Sequence, residues 1–97
     1  MTVHVLKDAT AFAEDKDVAA EIRENCLRPA MDAGEAVVLD FTGVRLTTQS
    51  FIHALISDVL RRNGEGVLEL ITFKGCNRVV RGVIKTVVQY SLEGVGE

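Results

Sequence analysis

The chain alternates between short apolar runs and longer stretches in which apolar residues recur every three or four positions. Residues 2–6, TVHVL, alternate, which predicts a strand with Val3 and Val5 toward the core and His4 on the other face. Residues 7–14 form a connector. Phe12 is expected to anchor it to the core, and one or two further short strands are expected near residues 8–13. Asp15, Lys16 and Asp17 open a helix, because acidic side chains accept from free N–H groups and suit the positive end of the helix dipole. Val18, Ala19, Ile22, Cys26, Leu27, Ala30 and Met31 then form one apolar stripe, with Glu21, Glu24, Asn25 and Arg28 outside it. Pro29 predicts a kink or an end, and Gly34 a stop.

Residues 35–41 predict the next strand. Its continuous apolar run AVVL is what a strand covered on both faces requires. Asp40 marks a sharp exit and Gly43 a turn. A helix begins within residues 47–50, since Phe51, Ile52, Leu55, Ile56, Val59 and Leu60 repeat in pairs every four positions. Gly64 and Gly66 end it. Residues 67–73, VLELITF, predict a third strand with Glu69 exposed. Asn77 is placed to cap the next element. From Arg78 onward valine abounds, which by propensity favours a strand. The pairs Val79/Val80, Val83/Ile84 and Val87/Val88 step by four and predict a helix instead. Gly82 inside it costs about 1 kcal/mol relative to alanine, and residues 92–97 are expected to fray. The order β-α-β-α-β-α implies an α/β fold, a mostly parallel sheet packed against helices with right-handed crossovers, in a single domain over 1–97.

Composition narrows the classes. At 97 residues there is room for one core. With no Trp, one Tyr and four Phe, that core must be mostly aliphatic. A net charge of −3 gives no bulk reason to expect nucleic acid or an anionic membrane. Residues 1–44 carry nine acids against four bases, whereas residues 45–97 carry seven bases against five acids, so the two halves present different faces. The first residues lack a basic leader with a long apolar core, and no run approaches the roughly 20 apolar residues of a membrane span. Cys26 and Cys76 form no C-x-x-C and no ligand spacing, so a cytoplasmic chain with reduced thiols is expected.

Motifs for chemistry are few. There is no P-loop, no G-x-S-x-G and no H-E-x-x-H, so no enzyme is expected. His4 and His53 lack a ligand at i+3 or i+4, so neither a metal nor another cofactor is expected. Spacing sets no second carboxylate, His or Lys beside Asp40, which is expected to hold its own turn by accepting from backbone N–H groups near Gly43. Cys76 precedes a helix without an evident base, and a buried structural thiol is expected. Thr47, Thr48 and Ser50 suit capping and turn roles. Arg78, Arg81 and Lys85 share one face of the last helix, and Arg61 and Arg62 join them in a basic patch if the two helices are neighbours.

The stretch VVLDFTGVRLTTQSFIHALI, residues 37–56, resembles the heart of the STAS domain found in anti-sigma-factor antagonists and in the tails of anion transporters. It resembles more closely a small bacterial STAS-like family of unassigned function, through Asp40-Phe41 at the strand end and Ser50-Phe51 at the helix start. Residues 71–77, together with Val80, Val83 and Ile84, fit the same family. The resemblance implies a protein-binding regulatory module, with Arg45, Thr47, Thr48, Gln49, Ser50 and His53 facing a partner such as an ATPase or kinase of the GHKL type. In the antagonists, the helix starts with Asp-Ser-(Ser or Thr)-Gly and the first Ser is phosphorylated. The matching position here is Gln49, which cannot accept phosphate, and Thr48 and Ser50 flank it as candidate acceptors. The alternative is a small anion or nucleotide held at the helix N-terminus over 47–50. An exposed edge strand at 2–6 or 67–73 offers pairing to a second chain and hence a homo-oligomer.

Overall fold

Three strands pair in parallel: β1 (Thr2–His4), β3 (Val37–Asp40) and β5 (Ile71–Lys74), with β3 in the centre. The computed structural model that shows this describes residues 1–94. Val3 faces Leu39, and Leu39 faces Phe73 in register. These residues, with Val37 and Ile71, point toward the helices and are buried or half-buried. A second ribbon pairs β2 (Phe12–Ala13) with β4 (Leu46–Thr47), also in parallel. The short strand expected near residues 8–13 is β2.

Register explains where the strands stop. β1 pairs with β3 only from Thr2↔Val38 to His4↔Asp40. Beyond Asp40 the chain turns away, so Val5 has no ladder partner and begins a short helix, Val5–Ala9. Val5 is still fully buried, so its core role survives the change of element. Likewise β5 starts where Ile71 meets Val37. The expected strand over 67–73 is therefore corrected: Val67–Leu70 form a helical turn entered through a 3-10 turn at Gly64–Gly66.

The first long helix runs through Lys16–Ile22, a π-turn at Arg23–Leu27, and Arg28–Ala33. Asp15 caps it, accepting from the Asp17 N–H at 2.9 Å. Pro29 neither ends nor breaks it. The π-turn lets the Arg28 N–H reach the Arg23 carbonyl, a wider ring that lies just before the missing donor of Pro29. Gly34 stops the helix at φ +70°. The second long helix runs through Gln49–Ile52, a π-turn at His53–Ser57, and Asp58–Asn63. The C-terminal helix spans Arg78–Gly94. It extends past the expected onset of fraying at residue 92; residues 95–97 lie outside the described ones.

These helices bury Ile22, Leu27, Phe51, Leu55, Leu60, Val80 and Ile84 against the core face of the sheet. The opposite face is more open than the AVVL run predicts. Val38 is half-buried, and its register neighbours Thr2 and Thr72 are exposed. Two single residues also depart from expectation. Phe12 is 47% exposed and Ala13 is the one that anchors β2, because the ribbon turns alternate side chains inward. Val79 is 49% exposed, so only the second member of its pair packs.

Candidate functional site

The turn after β3 is built by Asp40. Its Oδ1 accepts from the Thr42 N–H at 2.9 Å and from the Thr42 hydroxyl at 2.6 Å. Gly43 comes next at φ +85°, with the Leu6 side chain pressed against it at 2.6 Å from where a Cβ would stand. The chain then joins the ribbon: the Arg45 N–H donates to the Ala11 carbonyl at 2.8 Å. Thr47 is buried and its hydroxyl donates to the Ala13 carbonyl at 2.7 Å, which locks β4 to β2. The Thr48 hydroxyl accepts from the Phe51 N–H at 3.1 Å and caps the second long helix. Phe51 and Ile52 are fully buried. Arg45, Leu46, Gln49, Ser50 and His53 are exposed.

Two grooves flank this run. One, of about 460 Å³, lies between the second and C-terminal helices and is lined by Gln49, Ser50, His53, Thr86, Val87 and Tyr90. The other, of about 500 Å³, is lined by Ala11, Phe12, Arg45, Leu46 and Asn77. The Asn77 side chain fixes the second groove. Its amide donates to the Arg45 carbonyl at 2.9 Å, and its oxygen accepts from the Val80 N–H at 2.8 Å, capping the C-terminal helix.

The five bases do not form one patch. Arg62 pairs with Asp58 at 3.4 Å, and Asp58 pairs with Arg28 at 2.9 Å, so that end of the second helix is turned toward the first. Ser57, ahead of both Arg61 and Arg62, bonds to Ser91 at 3.1 Å. Ser91 lies thirteen residues beyond Arg78, about 20 Å along a helix. Arg78 and Arg81 are exposed at the other end, just after Asn77, and Lys85 is exposed midway along that helix.

The sheet gives Asp40 neighbours that spacing does not foresee. Register sets His4, Asp40 and Lys74 side by side at the carboxyl ends of the three strands. His4 Nδ1 stands 3.5 Å from Asp40 Oδ2. Aligning the last residues of the predicted parallel strands is the signal that finds this row. The Thr42 hydroxyl, then the Thr42 N–H, hold the Asp40 carboxyl below its usual range, and Lys74 and His4 add to the effect. Asp40 is therefore an engaged anion that organises its turn. A depressed folded-state value means stability present above the ordinary carboxylate range and lost as pH falls through the folded value. We expect the wild type to exceed Asp40→Asn in thermal midpoint at neutral pH, with the gap closing as pH falls into the ordinary carboxylate range and below it. A gap independent of pH would show that the charge plays no part. Cys76 is half-buried, and burial pushes its thiol up, away from a reactive thiolate.

Among the described residues no group of three or more His, Cys, Asp or Glu is placed to hold a metal, and no helix is long and apolar enough to cross a membrane. A family model described as a STAS-like domain of unknown function matches residues 18–81, from the first turn of the first long helix through β3, β4, the second long helix and β5 to the first turn of the C-terminal helix. Neither the curated proteins nor the solved structures contain a match to the chain.

Proposed function

The chain belongs to the STAS-like domain family, and from that premise we propose that it is a non-enzymatic regulatory module that binds a partner protein through residues 45–51. One observation carries this reading. The side chains that hold the fold in this run, Thr47, Phe51 and Ile52, are buried. That leaves Arg45, Leu46, Gln49, Ser50 and His53 as the exposed side chains of the run, at the mouths of the two grooves that flank it. An ATPase or kinase of the GHKL type is the partner class that the resemblance suggests. Of the two hydroxyls beside Gln49, Ser50 is the exposed one, whereas Thr48 is engaged as the cap. The same cap weighs against a small anion over 47–50, since one of the N–H donors at that helix start already has its acceptor.

The reading is tested by quantitative capture from lysate of the source cell. The baits are the wild type, the pair Arg45→Glu with Gln49→Lys, and a distant control, Glu21→Lys, all first shown to be folded by circular dichroism. At least one protein held by wild type and control should fall by tenfold or more with the paired variant. Equal recovery with all three baits would remove residues 45–51 as the contact surface.

A further inference from the structure

Phe12 and Leu46 face each other in the register of the β2–β4 ribbon, and both are largely exposed, at 47% and 42%. Single exposed apolar residues are ordinary, but two side by side make a patch that water covers at a cost. They form one wall of the groove of about 500 Å³, a size within the range of about 300–1,000 Å³ that receives ligands or anchoring side chains. Its other lining residues are Ala11, Arg45 and Asn77, so the lining carries one base and no acid. Arg78 and Arg81 come just after Asn77 in the first turn of the 17-residue C-terminal helix, and both are exposed. Phe12 is not part of the buried core; Ala13 is the anchor of its strand. Asn77, bonded to the Arg45 carbonyl, ties two lining residues together, and Thr47, bonded to the Ala13 carbonyl, holds the two strands that carry Phe12 and Leu46.

We infer that this groove seats an acidic segment of the partner, anchored by one or two large apolar side chains between Phe12 and Leu46 with its carboxylates beside Arg45 and Arg78. The inference rests on the proposal that the surface around 45–51 binds protein, and names the chemistry of what binds. Apolar contact supplies the affinity and charge sets the orientation and the choice of partner.

The test uses a random twelve-residue peptide library displayed on phage and selected on the immobilised full chain. Selected sequences should pair Asp or Glu with Leu, Phe or Ile. A synthetic peptide from the selection, titrated into ¹⁵N-labelled protein, should shift the amides of Phe12, Arg45, Leu46 and Asn77. Replacing its acids by lysine, or its apolar anchors by serine, should each weaken binding at least tenfold. Phe12→Ser should do the same, and because Phe12 is exposed this variant keeps its fold, as the amide spectrum will report. Basic selections, an empty selection, or shifts confined to Gln49, His53 and Tyr90 overturn the inference. So does tighter binding of a twelve-nucleotide oligothymidine than of any peptide. If the peptide arm fails while Arg45→Glu with Gln49→Lys still loses its captured protein, the inference alone falls. If that pair keeps every captured protein, the broader proposal falls with it.

Discussion

Phe51→Ala is expected to destabilise the domain more than any other single truncation considered. Phe51 is fully buried at the start of the second long helix, where it packs within the cluster that includes Leu39, Phe41 and Val80. Truncating a buried phenylalanine costs about 3–5 kcal/mol, from lost transfer energy and the cavity left behind. A domain of this size has a total stability on the order of 5–15 kcal/mol, so a large share of it goes. In urea, where the slope for a small protein is about 1–3 kcal/mol/M, the midpoint should fall by more than 1 M. Phe51→Leu, which keeps most of the volume, should lose much less. A change under about 1 kcal/mol for the alanine variant would mean that the ring is not packed as described. The point bears on function as well: loss of a partner on truncating Phe51 would report unfolding rather than a lost contact.

Gly75→Ala is the second large effect. Gly75 sits in the turn after β5 at φ +68°, a region that an L side chain enters at about 1–2 kcal/mol. Space makes it worse. An added Cβ would overlap the Thr42 hydroxyl, and would stand 2.8 Å from the Thr42 nitrogen and 2.9 Å from Asp40 Oδ1. The methyl group would therefore wedge into the two hydrogen bonds that close the Asp40 turn. Thr42 is exposed, so water takes up part of what these bonds lose, and each contributes about 0.5–1.5 kcal/mol. The sum is expected to reach about 3 kcal/mol in a denaturant titration. Thr42→Ala removes the overlapping hydroxyl, so in that background the cost of Gly75→Ala should shrink, a coupling that a double-mutant cycle reads directly. Additive costs would show that only the backbone conformation matters. Gly34 offers a contrast: its φ is +70°, but nothing lies within 4 Å of its added Cβ.

The helices were legible because each carries a stripe. Val80, Ile84 and Val87 are buried where the four-residue step places them, in a segment whose valines would otherwise read as a strand. The central strand was legible too, since Val37 and Leu39 are fully buried. What failed depended on distant partners. Val5 and Val67–Leu70 have strand-like residues, yet the paired strand ends before reaching them, and an isolated extended segment has unpaired N–H and C=O groups. The same gap hid His4 and Lys74 from Asp40: they are 36 and 34 positions away in sequence and adjacent only in register. In the run 45–51, the residue types were legible but their division was not. Thr47 and Thr48 look alike in sequence; Thr47 bonds inward to Ala13, whereas Thr48 turns to the helix it caps.

Asn77 makes one mechanical unit of two parts that lie more than thirty residues apart. Its oxygen holds the first turn of the C-terminal helix, while its amide holds the loop at Arg45. Any force that lifts that loop also takes the cap from the helix, and ordering the loop secures it. The far end of that helix is tied in turn to the second long helix, where Ser91 bonds to Ser57. The Arg45 loop and the first turn of the C-terminal helix thus share one carboxamide, so whatever stiffens either of them stiffens the other.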